Sequence, residues 1–508
     1  MPIIEKSINT FEFIILFIIF KRVQNFMEYL PWLLAGTAFG FMFGIIPVAG
    51  AGIGLISMFG FIEIFRPDPY TIVVFSTALV CAAAIGDSFA SVVMNIPGAG
   101  GSAATMVDGF PMTQNGEASR ALGAALATST ANGLIWGGLV FAFLPYYASA
   151  IMAFGIPEML AFLLLAFATV CFVSSEYWFR GIIALCIGIT VGLIGEHPIT
   201  GEARFTLGWD YLGAGVQMAP LLAGVLAVPE LVIAYRNRHK TKIPQIRSEW
   251  AGIWQGFKDS WIHKWDGLRG GFVGAIVGVI PGIGGNIADW LAYAQTVALN
   301  KNETIPFGSG NVKGVIGTEG ANNAQKATSY VPTILFGIPG ANFEIIIMSL
   351  FMIVGFEMGT PEVLEDMTFF KYLFSSYMWA LLLSFIIGLF FYRYAVKITN
   401  IDFKYYFWPI IALLVWSSVQ YTGYWEDYAF FMLACTLGMF LRVNKLSRAA
   451  FVIGFALSHR IEATGVSYSR LYDTFDIFTR PISGSLMALI TVAIIYGIFF
   501  NKTRIKYV

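Results

Sequence analysis

Long uninterrupted runs of apolar residues recur along almost the whole chain, and no polar stretch between them is large enough for a soluble domain. The run ALLLSFIIGLFF at 380–391 is typical. Only helices and closed barrels satisfy their backbone hydrogen bonds in lipid, and a barrel would show short alternating strands instead. Because a helix needs about 20 apolar residues to cross a bilayer, the sequence predicts an all-α polytopic membrane protein with about 12–14 transmembrane helices.

The composition agrees with this class and argues against several functions. Charged residues make up 12% of the 508 positions, about half of the roughly 25% usual in soluble domains. The net charge is zero, so nothing indicates a nucleic-acid partner. The four cysteines lie in apolar runs and are expected to be buried thiols. P-loop, hydrolase and metalloprotease motifs are absent from the sequence, so we expect neither an ATPase module nor an enzyme.

Charge and hydropathy divide the chain into four segments. Residues 1–28 are predicted to form a short N-terminal helix, which resembles a signal peptide but lacks a cleavage site. An N-terminal half is predicted over 29–235 and a C-terminal half over 271–508. The linker 236–270 between them is rich in Lys, Arg and Trp. Short basic loops face the cytoplasm, and Trp-rich amphipathic segments lie at the membrane surface. We therefore predict that the linker is cytoplasmic and that its Trp-rich segment lies on the membrane surface.

The two halves carry the same two helix-breaking sequences in the same order. GFMFGIIPVAG at 40–50 aligns with GAIVGVIPGIG at 274–284, and IPGAG at 96–100 aligns with IPGAN at 338–342. Gly and Pro weaken a helix interior by about 1 and 3 kcal/mol relative to Ala. Corresponding interruptions in two halves are typical of transporters that build their substrate site from broken helices, often as inverted repeats. The alternative is four ordinary kinks at packed helices.

The predicted breaks are suited to bind an anion. Each break frees backbone N–H groups, helix N-termini attract negative charge, and glycine lets a carboxylate approach the backbone closely. The neighbouring Asn and Ser side chains could add hydrogen bonds, although each could equally be a helix cap. The predicted substrate-binding residues are Asn95, Pro97, Gly98, Gly100, Gly101, Ser102, Pro281, Gly282, Gly284, Gly285, Asn286, Pro339, Gly340 and Asn342.

Polar residues in the apolar stretches before the IPG breaks predict a cation site. GVIGTEGANNAQKATSY at 314–330 offers the hard oxygen ligands that sodium takes, with Lys326 placed to balance Glu319 or to pair with an anionic substrate. Asp87 could bind a cation, carry a proton or pair with a basic group, since a carboxylate in a membrane helix is by default a functional hypothesis. Asp289 is a weaker candidate. The predicted cation-binding residues are Asp87, Ser88, Thr318, Glu319, Asn322 and Asn323, without a transition-metal site.

These segments resemble the large membrane subunit of the tripartite tricarboxylate transporters. The similar segments include residues 94–123, 154–162, 197–208 and 220–231, together with GVIPGIGGNIADWLAY, GTEGANNA and LFGIPGA in the C-terminal half. The chain departs from the family pattern at Val48, Asp87, Thr318 and Gly320, close to the predicted site.

The resemblance implies a secondary transporter of the bacterial inner membrane that imports di- or tricarboxylates with a cation, usually sodium, and needs no other cofactor. It implies a small four-helix membrane subunit and a periplasmic substrate-binding protein as partners, and we also expect the membrane complex to form a homodimer. The residues themselves leave open an uncoupled or proton-coupled organic anion carrier or channel. A membrane enzyme acting on lipid-linked substrates is the alternative from another class.

Overall fold

The computed structural model describes residues 27–46, 49–96, 102–151, 154–173, 175, 177–197, 200–237, 249–282, 285–398, 401, 403–420 and 423–499. Apart from a two-residue antiparallel pair, β1 (Gly195–Glu196) with β2 (Ala203–Arg204), the regular structure there is helical. The all-α prediction is therefore confirmed. The predicted N-terminal helix over 1–28 lies almost entirely outside the described residues, as do positions 47–48 of the first break and 238–248 of the linker.

Several helices before the linker are short or are interrupted by irregular turns. Three of them continue through a π-helical turn, at Gly133–Gly137, Thr169–Val173 and Ala223–Ala227, a feature that is frequent near functional sites. The α-helices are α1 (Leu30–Ile45), α2 (Gly50–Phe65), α3 (Pro69–Met94), α4 (Ala103–Gln114), α5 (Ala118–Asn132), α6 (Gly138–Ile151), α7 (Ile156–Ala168), α8 (Trp178–Gly192), α9 (Met218–Leu222) and α10 (Val228–Asn237).

The helices from the linker onward include the long α14, in which the whole polar run predicted at 314–330 is helical. They are α11 (Trp250–Ile262), α12 (Lys264–Val279), α13 (Gly285–Leu299), α14 (Val312–Phe336), α15 (Asn342–Ile353), α16 (Pro361–Leu364), α17 (Met367–Ile398), α18 (Lys404–Gln420), α19 (Glu426–Val443), α20 (Arg448–Leu471), α21 (Asp476–Thr479) and α22 (Pro481–Phe499).

Six helical segments in the described part of the chain are long and apolar enough to cross a membrane. They are Pro69–Met94, Ala118–Leu144, Ile156–Val173, Met218–Arg236, Met367–Tyr394 and Pro481–Phe499. Four shorter apolar helices accompany them, and three of these, α1, α2 and α15, adjoin a Gly/Pro break. The breaks end these helices early, so the total of 12–14 crossings, which counted each apolar run as one span, stays a prediction.

Glycines four residues apart bring two pairs of helices into close contact. On α1 they face the backbone of α3, and on α12 they face the backbone of α14. A Cβ on Gly274 would lie 2.6 Å from the carbonyl oxygen of Ala321, so only glycine fits. Such spacing is typical of membrane helices that pack through their backbones. The two sets are Gly36, Gly40 and Gly44 against Phe75, Leu79 and Ala83, and Gly270, Gly274 and Gly278 against Gly317, Ala321 and Gln325.

The long helices α3 and α14 also end in the same way. Asn95 ends α3 at φ 56° and Gly337 ends α14 at φ 60°, and the sequence Ile-Pro-Gly follows each. A residue in the left-handed conformation is a common helix terminator, because it turns the chain away from the helix axis. Each half therefore contains a glycine-faced helix, a break, a second helix, and a long helix ended by a second break.

The Trp-rich segment of the linker forms the amphipathic helix α11. Its Trp254 and Trp261 side chains are exposed, whereas Gly256 on another face meets the backbone of α5. An ion pair between Arg120 of α5 and Asp259 of α11, 2.5 Å from nitrogen to oxygen, fixes the contact. The exposed Trp side chains agree with the predicted place at the membrane surface, which stays a prediction.

Candidate functional site

The carboxylate of Glu319, in the middle of α14, is completely buried among polar side chains from both halves of the chain. Its Oε1 accepts hydrogen bonds from Ser88 Oγ of α3, over 2.9 Å, and from Thr105 Oγ1 of α4, over 2.8 Å. Its Oε2 accepts from Asn322 Nδ2 over 3.1 Å. A buried carboxylate without such donors would be strongly destabilising, so these three side chains are what keeps it in the protein interior.

A line of polar side chains extends from Glu319 along one face of α14. Residues 319, 322 and 326 lie three and four positions apart, which places them on the same face of a helix. Asn322 Nδ2 also donates to the Ala84 carbonyl oxygen over 3.1 Å, and Asn322 Oδ1 accepts from Lys326 Nζ over 2.5 Å. The half-buried ammonium of Lys326 is therefore linked to the Glu319 carboxylate through a single amide.

Two further carboxylates lie close to this line, Asp87 on α3 and Asp289 on α13. Both are buried, and within the described structure the Oδ1 atom of each has no hydrogen-bond partner. The charges of Lys326 and Glu319 act on both of them, and that of Asp289 acts on Asp87. Buried polar atoms almost always have a partner, so two open carboxylate oxygens beside a third carboxylate suggest a site for a ligand.

The geometry limits what kind of cation could bind there. Among the described residues, no group of three or more His, Cys, Asp and Glu side chains is arranged to hold one metal ion. A cation would therefore be held by one or two carboxylates together with hydroxyl, amide and backbone oxygens. Such mixed sets of hard oxygen ligands suit alkali and alkaline-earth ions rather than a thiolate- or imidazole-binding metal.

Of the predicted cation-binding residues, the structure brings Asp87, Ser88, Glu319 and Asn322 together, and Thr105 and Asp289 lie beside them. The side chains of the other two predicted cation ligands bind other partners. Thr318 Oγ1 donates to the Gly314 carbonyl oxygen of its own helix over 2.8 Å. Asn323 Nδ2 donates to Ser129 Oγ of α5 over 3.0 Å.

At the last break, the predicted substrate-binding residue Gly340 already binds a carboxylate of the protein itself. Pro339 and Gly340 are buried, and Asn342 is exposed at the start of α15. The backbone N–H groups of Gly340 and Ala341 donate to Glu344 Oε2 over 2.8 and 3.2 Å. Glu344 also accepts hydrogen bonds from the hydroxyls of Ser329, over 2.5 Å, and of Thr333. These N–H groups are therefore already occupied by Glu344.

Sequence analysis missed Glu344, although a signal for it existed. A Glu at the third position of a helix commonly returns to the backbone N–H before the helix start. Glu344 is the third residue of α15 and bonds to the N–H of Ala341, immediately before the helix.

The other predicted breaks are only partly within the described residues. Pro97, Gly98, Gly100, Gly101 and Gly284 lie outside them. At the first IPG break, Asn95 is exposed in its left-handed conformation, and Ser102 is buried immediately before α4. For Gly285 and Asn286, which begin α13, the structure describes only the backbone.

The break between α12 and α13 packs against α7 and its π-helical turn. Pro281 and Gly282 are buried, and the Pro281 carbonyl oxygen accepts a hydrogen bond from Thr169 Oγ1 over 2.5 Å. Gly282 has φ 76°, and a Cβ there would lie 2.8 Å from the carbonyl oxygen of Ala166. The conformation and the close contact both require glycine at this position.

Asp108 of α4 positions the two elements that carry Thr105 and Glu319. Its Oδ1 accepts from the backbone N–H groups of Gly308, Gly310 and Asn311, over 2.8, 3.0 and 2.9 Å. Its Oδ2 accepts from the Tyr293 hydroxyl over 3.0 Å. This completely buried carboxylate therefore ties α4 to the start of α14. No local sequence pattern predicts a bond between segments about 200 positions apart.

A basic side chain holds the end of α14. Arg460 of α20 donates through Nη1 to the carbonyl oxygens of Gly337 and Met358, each over 3.1 Å. The guanidinium therefore binds the negative C-terminal end of α14, where a cation is favourable. Sequence analysis did not single out Arg460, because its partners belong to distant segments.

Comparison with known proteins gives an independent finding. Residues 30–453 match the model described as the tripartite tricarboxylate transporter TctA family. An Agrobacterium vitis protein, described as an uncharacterized 52.8 kDa protein in the TAR-I ttuC′ 3′ region, is 26% identical over 462 residues, or 90% of this chain and 91% of the relative. A second, in the TAR-II ttuC′ 3′ region, is 28% identical over 221 residues, or 43% of this chain and 90% of the relative. No solved structure matches the chain.

Proposed function

The chain belongs to the tripartite tricarboxylate transporter TctA family, and we propose that it imports di- or tricarboxylates together with sodium ions. The family makes it the membrane subunit of a tricarboxylate transporter, and a transporter family implies that it is not an enzyme. The membrane-length helices agree with a multi-pass membrane protein. The coupling ion, the direction of transport and the bacterial inner membrane as its location belong to the proposal.

The proposal rests mainly on the Glu319 cluster, which comprises Asp87, Ser88, Thr105, Asp289, Glu319, Asn322 and Lys326. Four helices from both halves of the chain meet in this cluster. These helices, α3, α4, α13 and α14, each begin or end at a Gly/Pro break. In carriers with broken helices, substrate and ion sites lie where the halves meet at such breaks. An ion bound there would contact both halves at once and so favour one arrangement of them.

Charge balance supplies a physical reason for coupling. With all groups ionised, three carboxylates face one ammonium in the cluster, so its net charge is about −2 by this count. An anionic substrate is repelled from such a site until cations bind. Cation binding and substrate binding then favour each other, and by linkage each must raise the affinity for the other equally. The open oxygens of Asp87 and Asp289 are the ligands that we propose for the cations.

Lys326 is the group that we propose for a substrate carboxylate. Its ammonium is half-buried, belongs to the cluster and carries the positive charge that an anion requires. The last break is less suited to this role than the sequence suggested, because Glu344 already accepts from its N–H groups. The substrate roles of the other predicted break residues stay part of the proposal.

Proton coupling is the second candidate, and the proximity of Asp87, Asp289 and Glu319 supports it. Carboxylates that repel one another can share a proton, and a proton on Asp87 would lower the negative charge of the cluster as a sodium ion does. The two candidates differ in which gradient drives uptake.

The partners are part of the same proposal. The family name describes a three-part transporter, and we propose that a small four-helix membrane subunit and a periplasmic substrate-binding protein complete it. We further propose that the membrane complex pairs as a homodimer in the bilayer.

The test is uptake by the complete transporter in proteoliposomes. The chain is reconstituted with its small subunit and supplied with its binding protein and labelled di- and tricarboxylates. A sodium gradient, a pH gradient or no gradient is then imposed. Uptake driven by sodium alone supports the proposal, and uptake driven by pH alone supports the proton-coupled carrier. Equal uptake under all three conditions would identify an uncoupled carrier or channel.

A further inference from the structure

An exposed loop before α9 presents three large apolar side chains in a strained backbone. We call residues 201–211 the aromatic loop. Leu207 is 96% exposed and Phe205 is 65% exposed, and Trp209 is exposed as well. Phe205 and Leu207 have φ angles of 55° and 53°, a left-handed backbone conformation that bulky residues rarely adopt. Such strain persists only where surrounding contacts enforce it, and it is concentrated at functional sites.

Ion pairs and hydrogen bonds hold the aromatic loop at both ends. Arg204 donates through its two Nη atoms to the two carboxylate oxygens of Glu462 on α20, over 2.5 and 3.0 Å. His197 Nε2 lies 3.4 Å from Glu462 Oε1. At the other end, the Tyr211 hydroxyl donates to the buried carboxylate of Asp427 at the start of α19. The loop is therefore fixed at its two ends to α19 and α20.

The contacts of three helices place the aromatic loop at the opposite end from the linker, which is the periplasmic side when the linker is cytoplasmic as predicted. α10 ends at the basic linker, which we predict to be cytoplasmic. Near this end, Glu230 pairs with Arg442 over 3.1 Å and with Arg448, so the end of α19 and the start of α20 lie there too. The aromatic loop precedes α9 and contacts the opposite end of α19, through Tyr211. It therefore lies across the membrane from the linker.

We propose that the aromatic loop is the docking site of the periplasmic substrate-binding protein, an inference that rests on the proposed function. Exposed aromatic and aliphatic anchors within a polar rim are the usual centre of a protein interface. The exposed carboxylates of Glu196, Glu202 and Asp210 form such a rim. Because binding surfaces carry complementary charges, these carboxylates predict a partner surface with Lys or Arg side chains.

The charges favour a protein partner over the lipid surface. A segment that binds at a membrane interface usually carries Lys or Arg beside its apolar side chains. In the aromatic loop, the single basic side chain is Arg204, and Glu462 already binds its guanidinium. The exposed charges beside Phe205 and Leu207 are acidic instead.

The same helix that holds the aromatic loop also holds a break of the transport pathway. Arg460, two residues before Glu462 on α20, donates to the Gly337 carbonyl oxygen at the last break. A protein bound to the aromatic loop would therefore lie close to the end of α14, the helix that carries Glu319. This position suits a partner that releases substrate toward the Glu319 cluster.

The test measures uptake in proteoliposomes as a function of the concentration of purified, substrate-loaded binding protein. The variants are Leu207→Asn and Phe205→Asn, since Asn tolerates the left-handed conformation. The matched control is Phe475→Asn, which changes a 73%-exposed side chain just beyond the end of α20. Losing an apolar anchor at an interface commonly weakens binding roughly tenfold or more. We expect the half-saturating concentration to rise by about this factor in both loop variants, with the maximal rate and the control unchanged.

The acidic rim gives a second readout. Asp210→Asn and Glu202→Gln should raise the half-saturating concentration at low ionic strength and much less at high salt, where surface charges are screened.

The outcomes separate this inference from the function on which it rests. If wild-type uptake requires the binding protein but the loop variants keep the wild-type half-saturating concentration, only the docking site is overturned. A lower maximal rate at an unchanged half-saturating concentration overturns it as well, because the loop would then act through the fold or the lipid. If wild-type uptake does not depend on the binding protein, the three-part mechanism fails and the docking site with it.

Discussion

Ser88 donates a hydrogen bond over 2.9 Å to Glu319, although 231 positions separate the two residues. Thr105 donates to the same carboxylate oxygen. Glu319 therefore connects its own helix to the helices on both sides of the first IPG break. This arrangement places a buried carboxyl group where the two halves of the chain meet, and our central claim is that a coupling cation binds there.

Glu319→Gln should greatly reduce transport while leaving the protein folded. The substitution removes the charge and weakens the bonds from Ser88 and Thr105, and a hydrogen bond to a charged group contributes about 1.5–3 kcal/mol. We therefore expect uptake to fall roughly tenfold to a hundredfold at fixed sodium. Glu362→Gln, at an exposed position of α16, is the control and should transport normally. Normal uptake by Glu319→Gln would remove this carboxylate from the site.

Asp87→Asn should change the ion dependence of uptake. Replacing an open carboxylate oxygen by an amide weakens cation binding, so we expect the half-saturating sodium concentration to rise about tenfold or more. Ser76→Ala on the same helix is the control, because the Ser76 hydroxyl donates to carbonyl oxygens of its own helix, those of Ile72 and Val73. Under proton coupling, Asp87→Asn would instead abolish the response to a pH gradient. An unchanged response to both ions would exclude Asp87 as a ligand.

Glu344→Ala should destabilise the fold at the last break. It removes the carboxylate that accepts from the buried N–H groups of Gly340 and Ala341, and an unpaired buried group costs about 1–3 kcal/mol. The Ser329 and Thr333 hydroxyls lose the same acceptor but can still donate to carbonyl oxygens of α14. We expect the free energy of unfolding to drop by about 3 kcal/mol or more. Glu344→Gln keeps one acceptor oxygen and should lose less. If Glu344 were a free substrate-site group, both variants would melt like the wild type and differ only in transport.

Gly40→Ala and Gly274→Ala should both impair folding. A Cβ at either position meets the backbone of the partner helix, and overpacking of this kind commonly costs about 1–3 kcal/mol. Gly465→Ala is the matched control, since a Cβ there would meet no atom of another described element within 4 Å. It should be neutral or slightly stabilising. The measurement is the melting temperature of each purified variant. Equal melting temperatures for all three variants would contradict the packing role of Gly40 and Gly274.

Stability at acidic pH should depend on Glu303, in the loop before α14. Lys313 Nζ donates to Glu303 Oε1 over 2.7 Å, and this bond holds the pKa of Glu303 below its usual 4.5. A carboxyl whose pKa is depressed by folding stabilises the protein above its unfolded pKa and loses this effect as the pH falls. The melting temperature of the wild type should therefore fall more steeply below pH 4.5 than that of Glu303→Gln. Parallel curves would show that the ion pair contributes nothing.

The sequence predicted where the helices break and four residues of the Glu319 cluster, namely Asp87, Ser88, Glu319 and Asn322. Gly and Pro ended helices at predicted positions, since their effect on a helix is local. The sequence alone could not show which polar residues of 314–330 face the Glu319 cluster, because this depends on the helical phase of α14. Once α14 is a continuous helix, Glu319, Asn322 and Lys326 share a face.

Residues whose partners lie far along the chain could not be assigned from the sequence. Asp108 binds a loop about 200 positions away, and Arg460 binds the end of α14. Glu344 could have been recognised from its place in the first turn of α15, but its hydroxyl partners Ser329 and Thr333 become visible only when α14 and α15 pack together.

Direct binding of radioactive sodium to the purified membrane complex in nanodiscs tests the central claim most directly. The proteins compared are the wild type, Glu319→Gln and the control Glu362→Gln. We predict saturable sodium binding to the wild type and to the control, strengthened by the transported carboxylate, and its loss in Glu319→Gln. Equal sodium binding by all three proteins, or none by a folded wild type that transports, would contradict a coupling cation at the Glu319 cluster.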